Sequence, residues 1–378
     1  MINLKLKNIK NIKDSQPILE RLFKKHKQTY ISLFFHELDT SFDRFNLNPL
    51  IRSGILRKIG KKYRANVQVF PFSGMFICTD FLISLHKIIN GRFARGKNDV
   101  WAIFAYESPY IAKKAIVKRN DVVLDLATGS GIIALLCAKK AKNVIATDIN
   151  PKALHYARFN AILNNLENKI EFRLGDLFEP VKNLKFDSII WNGPTISVPN
   201  APKKYPIYCF GGSDGLEFTR RFIEEAPHYL TKNGKMQWLD PSIGTASEPE
   251  SLRIIRNKWR HQPFNIIYER RVHPSDLFKT IKYIDKILIE HPLKGKPRPL
   301  WIRPLTQKEY TQWINFLQKN HFTHIHAGMY KVYRNKKFRI SITQPKKIIF
   351  ARMNQLPEEW HFLSSGRIKQ LLRVCEQY

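Results

Sequence analysis

Residues 122–131 constrain the fold more strongly than any other part of the sequence. Apolar positions around Asp125 have the pattern of a buried strand, and they lead into a turn of small residues that ends at Gly131. The apolar run 132–136 then has the composition of a helix start. A strand, a glycine-rich turn and a helix in this order bring backbone N–H groups at the helix N-terminus close to a ligand. We therefore expect a nucleotide-like cofactor at this turn.

Strands and helices alternate regularly from residue 121 onward, with short connections between them. The predicted strands are 122–127, 144–149, 170–174, 186–191 and 235–239, and the predicted helices are near 131–141, 151–164 and 216–230. Such alternation is typical of a mostly parallel sheet covered by helices. The fold class predicted for this block is α/β, a doubly wound Rossmann-like sheet.

Three carboxylates lie where successive strands are predicted to end: Asp125, Asp148 and Asp176. The turn pattern Asp125-x-Ala127-x-Gly129-x-Gly131 lacks the third glycine of a dinucleotide site, so it favours a cofactor without a pyrophosphate. A carboxylate in the position of Asp148 is suited to accept both ribose hydroxyls, and one in the position of Asp176 to accept the amine of adenine. Each carboxylate alone is equally compatible with a structural role, but three together favour a nucleoside site.

Several runs of the sequence resemble the class I S-adenosylmethionine-dependent methyltransferases, in the small-domain branch that includes the HemK-type glutamine methyltransferases. The matching runs are 124–134, 147–154, Asn160-Ala161-x-x-Asn164, 175–178, 210–217 and 233–235. The resemblance covers roughly residues 100–245. It implies a seven-stranded methyltransferase sheet, an enzyme and S-adenosyl-L-methionine as the cofactor.

The resemblance also implies roles for individual residues. The methionine part of the cofactor is expected against the turn, and the ribose and adenine against the ends of the next two strands. The residues expected to bind cofactor are Asp125, Ala127, Thr128, Gly129, Gly131, Asp148, Ile149, Asp176, Leu177 and Asn192.

The predicted substrate loop follows strand 186–191 and reads Asn192-Gly193-Pro194-Thr195. The small-domain branch has Asn-Pro-Pro-aromatic here, and its Asn side chain and the next carbonyl hold a planar amino group. In this chain Gly193 replaces the first proline and Thr195 replaces the ring. Stacking on such a ring contributes about 1 to 3 kcal/mol, so its loss weakens the argument for a flat amide or base. A nitrogen of another shape, an oxygen, or an inactive site remain as alternatives.

Three domains are expected: residues 1–98, helical and winged-helix-like, for substrate recognition; 99–272, the catalytic domain; and 273–378, a basic C-terminal extension. An ordinary helical cap on the catalytic domain is an equal alternative for the first. Within the first, helices are predicted at 17–36 and 47–56 and a strand at 63–70. Within the last, the predictions are a helix at 275–290, a proline-rich link at 292–304, a helix at 306–319, strands at 329–333 and 338–343, and a basic helix at 364–376.

The net charge of the chain is +33, and it is concentrated outside the catalytic block. Residues 1–100 carry +12, residues 101–250 only +3, and residues 251–378 +18. A lysine-rich genome is one explanation, although a uniform bias should also reach the middle block. We expect RNA or a ribosome-associated protein as the substrate, since cationic flanks bind anionic partners. The alternatives are a small metabolite as substrate, or a non-catalytic nucleic-acid-binding protein that retains the fold.

Other classes of site receive little support from the sequence. No run approaches the roughly 20 apolar residues that span a bilayer, so a cytoplasmic protein without membrane association is expected. His321, His324 and His326 are spaced like metal ligands, but alternate residues on one strand face give the same pattern. No metal is expected, because acidic or cysteine partners are missing nearby.

Overall fold

The computed structural model describes residues 4–7, 9–35, 38–81, 98–100, 107–197, 207–208, 210–279 and 307–344. The chain divides into two compact units, residues 1–94 with 98–176, and residues 95–97 with 177–378. The predicted link 292–304 and the predicted basic helix 364–376 lie outside the described residues.

The first unit begins with a small lobe of helices and antiparallel strands. Its elements are α1 Ile9–Lys25, α2 Lys27–Phe34, β1 Thr40–Ser41, α3 Asn48–Arg52, β2 Leu56–Ile59, β3 Lys62–Ala65, β4 Gln68–Phe72 and β5 Met75–Thr79. Strands β1, β3 and β2 form one sheet in that order, and β4 and β5 form a separate hairpin. The predicted helix 17–36 is two helices, because the backbone at His26 leaves the helical region with φ −134°.

The predicted strand 63–70 is wrong as a single element. It is divided between β3 and β4, which belong to different sheets. The side chain of Asn66 donates to the carbonyl of Gly54 at 2.9 Å, and its backbone N–H donates to the carbonyl of Ile55 at 2.9 Å. These bonds turn the chain between the two strands, and the alternating sequence pattern carries no sign of them.

The remainder of the first unit is parallel α/β structure. Its elements are α4 Glu107–Lys114, β6 Val122–Leu126, α5 Ile132–Ala138, β7 Asn143–Asp148, α6 Pro151–Leu163 and β8 Ile170–Leu174. Strand β7 pairs in parallel with both β6 and β8. Helix α6 begins where predicted because Pro151 occupies its first position and the side chain of Asn150 accepts the N–H of Lys152 at 3.0 Å.

Two asparagines, Asn160 on α6 and Asn164 directly after its end, attach the β4–β5 hairpin to this helix. Asn160 accepts the N–H of Cys78 at 2.8 Å and donates to the Cys78 carbonyl at 2.9 Å, as a neighbouring strand would. Asn164 makes the same pair with Phe76, at 2.9 and 2.8 Å. Because buried backbone groups need partners, these side chains replace a missing strand at the edge of β5.

The second unit contains β9 Phe186–Trp191, α7 Glu217–Glu225, β10 Leu230–Gly244, α8 Glu250–Trp259, β11 Phe264–Arg270, β12 Ser275–Asp276, α9 Gln307–Lys319, β13 His324–Arg334 and β14 Arg339–Thr343. Strand β10 is parallel to β9 and antiparallel to β13, which in turn pairs antiparallel with β11. The first unit thus holds three parallel strands, β6 to β8, and the second holds a mixed sheet of β9, β10, β13, β11 and β14, with β12 paired to β13. The Rossmann-like fold class is confirmed.

Tertiary pairing set the ends of several elements in this unit. Strand β10 is much longer than the predicted 235–239, because β13 pairs with it from Lys235 to Gly244. The predicted helix 275–290 is wrong at its start, where Ser275 and Asp276 pair with Ile325 and His324 as a short strand. Among the described residues, no helix is both long and apolar enough to cross a membrane.

Asp240 on β10 is a buried carboxylate whose titration should make the stability of the fold depend on pH. Burial raises its pKa to about 7, partly opposed by the hydrogen bond that Ser251 donates at 2.7 Å. The folded state therefore binds this proton more tightly than the unfolded state, and stability is lost as pH rises from about 4 to about 7.

Because asparagine does not titrate, we expect Asp240→Asn to abolish this loss of stability, which amounts to at most about 1.4 kcal/mol for each pH unit. Chemical denaturation at a series of pH values measures it. Relative to the wild type, the free energy of unfolding of the variant should therefore increase as pH rises. Burial also raises the pKa of Asp125 to about 7, so the pH dependence that Asp125 contributes persists in both proteins. Parallel profiles for wild type and variant would contradict the prediction.

Candidate functional site

The turn between β6 and α5 is built around the buried side chain of Asp125. Its Oδ2 accepts the hydroxyl of Thr128 at 2.5 Å and the N–H of Ala134 at 2.9 Å. Burial raises its pKa to about 7, and these two hydrogen bonds act in the opposite direction. Asp125 thus joins the turn to the first residues of the helix. Its side chain is fully buried, so it supports the turn from the protein interior and is not exposed at the surface of the turn.

Glycine is required at Gly131 for two reasons. The residue has φ +87°, and an added Cβ would lie 3.0 Å from the Cβ of Ala157 on α6. Gly129 also has a positive φ, +56°, but nothing lies within 4 Å of where its Cβ would be. The backbone of the turn is therefore closely packed on the helix side and open at Gly129, which leaves room for a ligand there.

Asp148, at the end of β7, contacts this turn directly. Its Oδ2 accepts the N–H of Gly129 and its Oδ1 accepts the N–H of Asn150, both at 2.8 Å. Burial raises its pKa, while the backbone N–H bonds act to lower it. Each carboxylate oxygen has a second lone pair, so the side chain can also accept two hydroxyl groups.

Two apolar side chains are exposed beside Asp148. Ile149 is 59% exposed and Leu174, at the end of β8, is 57% exposed. Asp148 and Leu174 are partners in the parallel pairing of β7 and β8, so both side chains lie at the same end of adjacent strands. Exposed apolar surface next to a carboxylate that can accept hydroxyls fits a ribose with a flat base. Leu174 was not predicted; its signal is an apolar residue immediately before Gly175.

The remaining predicted cofactor residues are divided between the two units. Asp176 is half-buried in the first unit, and its turn is held by the N–H of Gly175, which donates to the Asp148 carbonyl at 3.1 Å. Leu177 is buried in the second unit and has φ +42°. Hydrogen bonds therefore join Asp125 to Thr128 and Asp148 to Gly129. Asp176 directly follows Gly175, which is bonded to Asp148.

The substrate loop Asn192–Thr195 follows β9 in the second unit, and all four residues are half-buried. The indole of Trp191 lies against Gly193, and a Cβ at Gly193 would be 2.0 Å from the indole Nε1. Trp191 is fully buried and stacks on Phe222 with ring centroids 4.7 Å apart. The tryptophan therefore explains why glycine stands where the small-domain branch has proline.

The end of this loop is enclosed by a second glycine segment. A Cβ at Gly215 would lie 2.4 Å from the carbonyl oxygen of Thr195, and one at Gly211 would lie 2.7 Å from the Thr195 Cα. Ile196 and Phe210 form an isolated bridge beside them. The backbone at Thr195 is therefore closely packed, and the run 210–217 seen in the sequence serves this packing.

We expect Gly193→Ala to cost about 1 to 3 kcal/mol of stability, because the new methyl group collides with the buried indole. Trp191→Phe removes the colliding Nε1 side of the ring and should recover much of that cost in the double variant. Urea denaturation of the wild type, both single variants and the double variant measures the coupling. Additive losses would show that the two residues do not compete for the same space.

Of the three histidines that are spaced like metal ligands, His326 has a structural position. The Nε2 atom of buried His326 lies 2.7 Å from the carbonyl oxygen of Thr245, and burial lowers the pKa of His326 to about 4. Across the described ranges, no group of three His, Cys, Asp or Glu side chains is arranged to hold a metal ion.

Comparison with known proteins identifies the relatives of this chain. A family model described as the methyltransferase small domain matches residues 108–240. A candidate protein N5-glutamine methyltransferase of Methanocaldococcus jannaschii is 41% identical over 156 residues, which are 40% of this chain and 77% of that protein.

Two further relatives carry names that state their substrates. The release factor glutamine methyltransferase of Thermodesulfovibrio yellowstonii is 33% identical over 187 residues, 47% of this chain and 61% of that protein. The ribosomal protein uL3 glutamine methyltransferase of Bradyrhizobium diazoefficiens is 38% identical over 121 residues, 30% of this chain and 38% of that protein. The matched region thus spans less than two thirds of each of these two proteins.

Proposed function

Since the chain belongs to the small-domain branch of the class I S-adenosylmethionine-dependent methyltransferases, we propose that it methylates a side-chain amide nitrogen of a ribosome-associated protein. The observation that carries the proposal is the retention of Asn192 and Pro194 directly after β9 in a chain whose relatives are named as glutamine methyltransferases. Translation factors and ribosomal proteins are cytoplasmic, so we place the enzyme in the cytoplasm.

The cofactor, S-adenosyl-L-methionine, supplies an electrophilic methyl group on a sulfonium. We assign the turn at Thr128 and Gly129 to its methionine part, Asp148 to the ribose hydroxyls, and Ile149 with Leu174 to the faces of the adenine. Asp176 and Leu177 are assigned to the edge of the adenine, by resemblance to the family. Asp125 supports the turn from inside the protein.

Asn192 is assigned to the amide substrate. Its side-chain oxygen and the carbonyl of Gly193 are both acceptors, and an amide NH₂ group has two N–H donors. Holding both donors orients the nitrogen, and orientation supplies most of the catalysis in a displacement that needs one alignment of reacting atoms. The backbone at Gly193 is held by the Trp191 indole, and that at Thr195 by Gly211 and Gly215, so both acceptors have defined positions.

Thr195 provides no ring for an amide to stack on. A substrate bound without that ring loses about 1 to 3 kcal/mol of contact, which other parts of the protein have to supply. We propose that the basic flanks, residues 1–98 and 273–378, do so by binding the particle that carries the acceptor.

A labelling experiment tests the proposal. Ribosomes, isolated ribosomal proteins with release factors, total RNA and a metabolite extract are incubated with methyl-labelled cofactor and enzyme. We expect label in protein, resistant to ribonuclease and located on glutamine by mass spectrometry, and none with Asn192→Ala. Label in the RNA or metabolite fraction, dependent on Asn192, would replace this proposal with one of the two alternative substrates.

A further inference from the structure

A cavity in the N-terminal lobe lies outside everything assigned above. It has a volume of about 470 Å³ and opens where α1 ends and α2 begins. Its walls come from the α1–α2 junction, residues 25–29, and from β1 and the residues after it, 41–44. All of these residues belong to the first unit.

Cationic side chains predominate around this cavity. Lys25, Lys27 and Arg44 line it and are exposed, and Asp43 is the single carboxylate among its lining residues. Gln28 and Thr29 add neutral donors. Three cations and neutral donors around one concave surface favour a ligand with several negatively charged oxygens.

The cationic surface continues beyond the cavity onto the β2–β3 hairpin. Ser41, which lines the cavity, is paired with Lys62 at the start of β3. Lys61 and Lys62 are exposed there, as is Lys58 on β2. The pairing of Ser41 with Lys62 thus places a second group of exposed lysines on the hairpin next to the strand that lines the cavity.

Aromatic rings lie next to these cations. Phe42 lines the cavity and is half-buried, and its ring meets the rings of His26 at 5.2 Å and of Phe45 at 4.8 Å between centroids. The guanidinium of Arg21 lies over Phe45 at 4.4 Å. Cations interleaved with partly exposed rings are the usual platform for single-stranded nucleic acid, since the rings stack on bases and the cations bind phosphates.

We infer that this cavity and the adjoining hairpin bind single-stranded RNA, with a backbone phosphate between Lys25 and Arg44 and a base against Phe42. An acidic peptide would use the cations but gain little from the ring, so the presence of Phe42 favours RNA. The inference goes beyond methyl transfer and does not depend on which atom accepts the methyl group. It gives the basic N-terminal region a defined contact with the RNA of a ribonucleoprotein particle.

Fluorescence anisotropy with the full-length protein and a fluorescein-labelled uridine dodecamer tests the inference. We expect the double variant Lys25→Gln, Arg44→Gln to bind the RNA at least about tenfold more weakly at 0.1 M salt, because two phosphate contacts are lost. The salt slope, measured from about 50 to about 300 mM KCl, should fall by about 1.4. The control variant Lys118→Gln, Arg119→Gln removes the same two charges from exposed positions elsewhere in the first unit.

Two single variants separate the ring from the charge. Phe42→Leu should weaken RNA binding about tenfold with an unchanged salt slope, because stacking releases no counterions. Asp43→Asn should strengthen it, since the carboxylate repels the phosphate. Far-UV circular dichroism and thermal melting establish that each variant is folded.

Three results would overturn the inference. The first is wild-type protein that does not bind the dodecamer, and the second is a cavity variant that binds no worse than the Lys118, Arg119 control. The third is polyglutamate of matched charge competing as well as the RNA, which would assign the surface to an acidic protein. None of these results bears on the proposed methylation of a side-chain amide, which the labelling experiment tests separately.

Discussion

Asp148→Ala is expected to weaken binding of S-adenosyl-L-methionine by at least about a hundredfold, because two hydroxyl-to-carboxylate hydrogen bonds are lost, each contributing about 1.5 to 3 kcal/mol. A second effect acts in the same direction. The N–H of Gly129 loses its acceptor, so the turn that faces the methionine part of the cofactor is less well ordered. Isothermal titration calorimetry with the cofactor and its demethylated product measures the change.

Asp148→Asn serves as the matched control for this experiment. Its amide oxygen can still accept the Gly129 N–H, but it brings a neutral acceptor and a misplaced donor to the ribose, so binding should fall to an intermediate level. Asp176→Asn should have a smaller effect, since only one contact with the adenine is assigned to that carboxylate. Undiminished binding by a folded Asp148→Ala protein would show that the ribose is not bound at the end of β7.

Asn192→Ala is expected to lower the rate of methyl transfer by at least about a thousandfold, because the acceptor nitrogen is no longer aligned. Cofactor affinity should be unchanged, since the cofactor contacts assigned to Asp148 and the Gly129 turn remain. Single-turnover transfer of labelled methyl to ribosomal protein, with calorimetry on the same sample, gives both quantities. This separation of rate from binding distinguishes an orienting residue from one that merely supports the fold.

Asn168→Ala provides the control for the asparagine itself, because Asn168 is exposed on a short helical turn after α6. It should transfer methyl groups at the wild-type rate. Full activity of the Asn192→Ala variant would show that the substrate is not bound by the loop Asn192–Thr195. A loss of cofactor binding in that variant would instead make Asn192 chiefly a cofactor residue.

Local sequence patterns account for how well the strand ends of the α/β block were predicted. The small residues of the turn and the carboxylate of Asp148 act within a few residues of a strand end, and strand ends in the α/β block follow from the periodicity of apolar residues. The observed β6, β7, β8 and β9 begin and end within one residue of their predicted bounds. The family, the enzyme class and the cofactor, which the sequence runs resembling the methyltransferases implied, are confirmed by the family model and the relatives.

Residues whose roles depend on a distant partner were predicted less well. Asn160 and Asn164 stand out in the sequence only as part of a family motif, whereas their partners, Cys78 and Phe76, are more than eighty residues earlier. The side chain of Asn160 also donates to the carbonyl of Ser130 at 2.9 Å, so the same residue supports the cofactor turn. No spacing rule along the chain indicates such a contact.

The amino-acid sequence by itself determined the α/β alternation and the positions of Asp148 and Asn192 at strand ends, because these follow from short-range patterns, and its resemblance to a known family supplied the methyl-donor cofactor. Only the tertiary structure decided what surrounds them. It showed that Asp125 supports the turn from within, that Leu174 is exposed beside Asp148, and that Gly193 is glycine because the Trp191 indole occupies the space of its side chain. Each of these depends on which atoms meet across the fold, and the order of residues along a chain carries that information only indirectly.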